Sequence, residues 1–228
     1  MSKNKKIEDK KLRKLRIKEL NEPPKLTILE EVGNSVTHGV GALLAIVAMV
    51  LLLVKSDTGL KVMASCFYGI SLLLLMIMSC LYHAFKSGSK VKRLWRRFDY
   101  SSIYLLIGGT FAPLYLVYWG NTLGIVLFCV QWSLIILGIT IISVFGPGRF
   151  SWIHFTLYFV IGWSAVMFFP QWIKNDLPLF FTILIGGVIY TLGMIPFAKN
   201  RKYDHFKWHF FVLAGAIIHW FAIYLFIY

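Results

Sequence analysis

Apolar residues run along this chain in seven long blocks separated by short polar stretches. The blocks fall at 34–54, 61–85, 99–119, 122–144, 151–171, 178–198 and 206–227. Each is close to the ~20 residues a helix needs to cross a hydrocarbon core of ~30 Å. The separators are "KSDTG", "KSGSKVKRLWRR", "YWGNT", "FGPGRFS", "QWIKNDLP" and "AKNRKYD", where Gly, Pro, Asn, Asp and charge gather. "YWGNT" carries no charge, but fusing the third and fourth blocks would give an apolar run of more than forty residues. The pattern predicts an all-α integral membrane protein, a seven-transmembrane helix bundle over 30–228 behind a polar tail over 1–29. No internal repeat is evident.

Composition agrees with this reading. The 228 residues are 58% hydrophobic and 15% charged, against about 25% charged in a soluble domain. The mean hydropathy is +0.69. One large soluble core is thereby excluded.

Charge adds an orientation. Of 24 Lys and Arg, ten lie in the first 25 residues. With the N-terminus inside, the tail and the second, fourth and sixth connections hold ten, six, one and four basic residues. Lys55, Lys61 and Lys174 remain outside. The positive-inside rule therefore predicts N-terminus inside and C-terminus outside. The tail "KKIEDKKLRKLRIKEL" reads as a weak basic amphipathic helix, a topology signal attracted to anionic lipid headgroups. No aromatic or Gly-rich pattern supports nucleic acid as a partner. No cleavable signal peptide is visible. Cys66, Cys80 and Cys129 stand singly in apolar runs and read as small core residues.

Ionisable groups inside spans are costly and face the protein interior, so each is a candidate for function. Ser79 and His83 are four apart at the end of span two. Asp99 stands in the expected first turn of span three, and His205 and His209 are four apart where span seven begins. The predicted topology brings all of these to one depth at the inner side. Three imidazoles form a zinc ligand set with one position open to water. Zinc turns bound water into a nucleophile near neutral pH. Asp99 could hold that water or take its proton, and Ser79 could donate to a developing oxyanion. Taken singly, Asp99 could instead cap its helix or pair with Arg96, Arg97 or Lys202, and Ser79 could be a packing residue.

Glu30, Asn34 and His38 share one face of span one. They could support the site from behind, cap the helix or make interhelical contacts. His219 lies on the same side of span seven as His205. It is ~15 Å beyond His209, too far to share an ion, and reads as lining a cavity or joining helices. His154 reads as interfacial.

The stretches "EEVGNSVTHGVGA", "SCLYHAF", "RRFDYSSIYLLIGGTFAPL" and "KWHFFVLAGAIIH" together resemble the hemolysin III family, within the progestin and adipoQ receptor group. That group sits in a superfamily that includes alkaline ceramidases. The resemblance implies a plasma-membrane bundle with zinc on His83, His205 and His209, and Asp99 on the zinc-bound water. It also implies hydrolysis of a lipid amide or related bond, with membrane lipid as substrate or ligand. A non-enzymatic sensor of membrane state with a structural zinc is the second expectation. The family name adds a third, cytolysis, for which the residues offer no pore-lining pattern.

Overall fold

The computed structural model describes residues 3–199 and 201–228, leaving outside it the first two residues of the tail and Asn200 of the sixth connection. Helix α1 spans Lys3–Leu20, α2 Ile28–Lys55, α3 Gly59–Ala84, α4 Lys90–Ala112 and α5 Thr122–Phe145. Helix α6 spans Ser151–Gly162, α7 Phe169–Asn175, α8 Leu177–Lys199 and α9 Asp204–Phe226. Among the described residues, seven segments are long and apolar enough to cross a membrane: α2, α3, α4 with its extension to Trp119, α5, Ser151–Phe168, α8 and α9.

The polar breaks act through specific caps. Thr27, Thr58, Ser89 and Asn121 each accept a backbone N–H three residues on and so start α2, α3, α4 and α5. The uncharged break "YWGNT" is a real end. Pro113 cannot continue the α-helical ladder, and the chain widens into a π-helical stretch, Pro113–Trp119. Gly120 then turns left-handed at φ 50°, and the Asn121 side chain takes the Gly124 N–H at 3.0 Å.

Two boundaries differ from the sequence expectation. Helix α4 starts at Lys90, not at Asp99, because Ser89 caps the basic run and that run stays helical. Asp99 is therefore well inside α4 and is not a cap. The fifth span narrows after Gly162 into a 3₁₀ turn, Ser164–Phe168, and α7 continues from it.

The outward faces carry Leu43, Val54, Ile136 and Phe221, all exposed, as lipid-facing positions require. Cys129 is on such a face, exposed on α5, which corrects its reading as a core residue; Cys66 and Cys80 are partly buried and free. In the interior, Tyr68, Leu72, Leu75 and Met76 of α3 pack against Val212, Ala216 and Ile223 of α9 in one cluster.

The tail and the even-numbered connections meet at one end of the bundle. Asn21 donates to the Phe145 carbonyl and accepts the Gly148 N–H, closing the end of α5. Glu22 pairs with Arg93 at 3.1 Å. The Tyr203 N–H donates to Glu30 Oε1 at 2.6 Å.

Candidate metal centre

At that same end two helices bring three imidazoles together. His83 comes from the last turn of α3, and His205 and His209 from the first turns of α9. One ligand atom from each lies within 4.8 Å of the others. His83 Nε2 and His205 Nε2 are 3.1 Å apart. His83 and His209 are buried, and His205 is partly so.

Helix α2 orients these rings. Glu31 Oε2 lies 2.8 Å from His83 Nδ1. A carboxylate only accepts, so Nδ1 carries the proton and Nε2 is the nitrogen turned to the cluster. Asn34 Nδ2 also approaches His83 Nδ1, at 3.4 Å. Glu31 is shorter and charged, and it governs the tautomer. Thr37 Oγ1 is 3.4 Å from His209 Nδ1 while bonding the Gly33 carbonyl at 2.9 Å. Its single proton is committed to that carbonyl, so it accepts from Nδ1–H and leaves the other His209 nitrogen free. His38 stacks on His209, ring centroids 3.7 Å apart.

Glu31 is itself anchored. Lys92 is fully buried, and its ammonium donates to Glu31 Oε1 at 2.7 Å and to the Phe85 carbonyl at 3.1 Å. The Tyr82 ring lies beneath it at 4.9 Å. A partly buried carboxylate paired this way stays in position without an uncompensated charge.

Glu30 has a different task. It accepts from Thr27 N–H and Thr27 Oγ–H, completing a capping box, and from Tyr203 N–H. Tyr203 is left-handed at φ 64°, an unfavourable conformation for a tyrosine. Its N–H bond to Glu30 holds the turn that opens α9, and so sets where His205 and His209 begin.

Ser79 is buried one turn before His83. The Ser79 hydroxyl, the His83 ring and the Arg96 and Lys92 cations face the Asp99 carboxylate. Ser79, His83, Asp99, His205 and His209 are thus brought together from α3, α4 and α9. Three imidazoles that bring one nitrogen each to a common point form a donor set that suits a metal ion.

His219 is elsewhere. Its Nε2 donates to the Ile183 carbonyl at 3.0 Å, joining α9 to α8, and the ring lines an apolar cavity. His154 corrects the interfacial reading: it is 1% exposed, with Nδ1 2.9 Å from the Tyr104 hydroxyl. Gly138 of α5 gives the Tyr104 ring room, since a Cβ there would overlap it. The residue that sequence reasoning missed is Glu31. Its signal was available, because Glu31, Asn34 and His38 follow a helical spacing of three and four.

Comparison with known proteins agrees with this architecture. The family model described as "Haemolysin-III related" matches residues 26–220. "Hemolysin-3" of Bacillus cereus is 35% identical over 201 residues, covering 86% of this chain and 91% of the relative. "Hemolysin-3 homolog" of Bacillus subtilis is 33% identical, over 86% of this chain and 94% of its own. "Monocyte to macrophage differentiation factor" of Homo sapiens is 27% identical, over 90% and 87%. The chain belongs to the haemolysin III family of multi-pass cell-membrane proteins.

Proposed function

We propose that this protein is a zinc-dependent hydrolase that cleaves an amide or ester bond of a membrane lipid. The observation that carries the reading is the buried three-imidazole cluster with the Asp99 carboxylate and Ser79 hydroxyl beside it. Three protein ligands with one open position are the pattern of a catalytic zinc.

His83, His205 and His209 would hold the ion, with Glu31 fixing the ring of His83. Zinc, when bound, supplies Lewis acidity to the lipid carbonyl or the attacking water. Asp99 takes a proton from the water as its oxygen adds to the carbonyl carbon. The Ser79 hydroxyl donates to the carbonyl oxygen as negative charge gathers there. Asp99 then returns the proton to the leaving nitrogen or oxygen as the C–N or C–O bond breaks. The products are a fatty acid and an amine or alcohol. The apolar cavity reaches this end of the bundle through Tyr100, next to Asp99, and Phe197, whose ring is 5.7 Å from that of His205. It offers a lipid chain a path beside the reacting bond.

We take the end with the basic connections as cytoplasmic, so the chemistry meets the inner leaflet. Helix α1 would rest on anionic headgroups there, with exposed Leu12 and Leu15 among its basic residues. The test is lipid turnover by purified, zinc-loaded protein over a panel of amide and ester lipids. Fatty-acid release is expected, lost on chelation and restored by zinc. No release from any member of the panel would overturn the hydrolase reading.

A second reading is favoured by one observation: the cluster ties α3 directly to α9 through His83 and His205. Zinc there could clamp helices in a sensor of membrane state. Lysis, which the relatives' name denotes, is tested separately by leakage of lipid vesicles on adding the protein.

Glu31 yields a prediction that holds under either zinc reading. Glu31→Gln keeps the shape but removes the charge that Lys92 and His83 share. Zinc affinity, measured by chelator competition, should fall ten- to a hundredfold, the usual effect of losing such a partner. Glu31→Asp should recover part of it. Unchanged affinity in Glu31→Gln would remove Glu31 from the site.

A further inference from the structure

The cavity beyond the histidine cluster holds a second polar feature. It encloses about 130 Å³ between α4, α6, α8 and α9, and its wall is almost wholly apolar. Thr110, Tyr158, Trp163 and Thr191 stand on that wall, but each is already hydrogen-bonded within the protein. His219 and Tyr190 are different. His219 is 8% exposed, and its Nδ1 has no partner; neither does the buried Tyr190 hydroxyl. Both line the cavity, with ring centroids 5.4 Å apart.

The two rings sit in a reciprocal clasp. Gly186 and Tyr190 are four apart on α8, and Gly215 and His219 are four apart on α9. A Cβ on Gly186 would overlap the His219 ring, and a Cβ on Gly215 would overlap the Tyr190 ring. Each helix thus gives up a side chain to seat the other helix's ring. The Ile183 carbonyl fixes the rest: it only accepts, so His219 Nε2 carries the proton. In the neutral ring, Nδ1 is then a bare acceptor. An unsatisfied acceptor beside an unsatisfied hydroxyl, both buried, is expensive unless something fills the need.

We propose that His219 and Tyr190 form a recognition point for a hydroxyl group carried along the chain of a lipid. A ligand hydroxyl can donate to His219 Nδ1 and accept from the Tyr190 O–H. A ketone or ether cannot donate, and a carboxylate would meet the bare acceptor with like polarity. The ligand arrives from the bilayer. Next to Gly162, at the end of α6, there is open space, and Phe159 on the same wall is half-exposed to lipid. The proposal rests on the cavity being a lipid chamber, part of the reading above, but not on any bond being broken.

The test is binding. Purified full-length protein in lipid nanodiscs is titrated with stearate, a set of hydroxystearates whose hydroxyl walks along the chain, and the ketone and methyl ether of the best one. That hydroxystearate should bind on the order of tenfold tighter than stearate, the range of one net hydrogen bond to a buried partner. Ketone and ether, which can accept from Tyr190 but cannot donate to His219 Nδ1, should bind more weakly than the alcohol. His219→Phe should abolish the preference while leaving stearate affinity in place, and Tyr190→Phe should reduce it. Ketone or ether binding as tightly as the alcohol would overturn the proposal, as would a preference that survives both variants. Should stearate bind and no hydroxyl position be preferred, the recognition point falls and the lipid chamber stands. Should no probe bind, both fall. The wild-type comparison stands by itself if a variant does not fold.

Discussion

His83→Ala, His205→Ala and His209→Ala should each lower bound zinc from about one ion per chain to a small fraction of that. The expectation follows from how the donors are assembled. His83 Nε2 and His205 Nε2 are 3.1 Å apart, and the third imidazole comes within 4.8 Å. No other group of three or more such side chains among the described residues could hold an ion. Loss of a direct ligand should exceed the ten- to hundredfold loss from removing a partner behind one. Metal analysis after a chelator wash reads the result. His154→Phe is the control, since His154 bonds Tyr104 and takes no part in the cluster. Zinc retained in all three alanine variants would end the assignment. Zinc retained in only one would shift the site to the other pair and a new partner.

Much of this site was legible in the sequence because topology is a strong constraint. Block lengths and connection charges put the end of α3, the basic part of α4 and the start of α9 at one end of the bundle. That alone brought Ser79, His83, Asp99, His205 and His209 together. What was not legible depends on side-chain direction. Glu30 and Glu31 are adjacent, and spacing favoured Glu30 with Asn34 and His38. In the fold Glu30 turns to Thr27 and Tyr203, while Glu31 turns to His83 and Lys92. Interior and surface histidines were no easier to separate. His154 lies near a helix start, where an imidazole is unremarkable, until Gly138 opens the slot that lets Tyr104 reach it. The start of α4 was misjudged because a charged run looks like a loop, although Ser89 caps it and Lys92 turns inward. The cavity was beyond sequence altogether. Gly186 with Tyr190, and Gly215 with His219, each show a spacing of four, but neither says that the pairs interlock.

Asp99→Asn should leave zinc in place and cut lipid turnover by about 10²- to 10⁴-fold, the usual weight of a general base. The substitution is nearly isosteric, so the Ser79 hydroxyl and the Arg96 and Lys92 cations keep a similar neighbour. What disappears is the ability to take a proton. The loss should fall on kcat, with KM little changed, since Asp99 is asked to act on the water rather than on the lipid. Ser79→Ala should act on the same step through the carbonyl oxygen, at about 10²- to 10³-fold if its hydroxyl is an oxyanion donor. Because the two groups face each other, their effects should not add: the double variant should lose less than the product of the single losses. A clamp makes the opposite forecast. If zinc only joins α3 to α9, both variants hold the metal, both keep the thermal stability that zinc confers, and neither changes a physiological readout. Measuring zinc content, melting temperature and fatty-acid release on the same preparations separates the two. Full turnover in Asp99→Asn with zinc bound would remove Asp99 from the proton transfer.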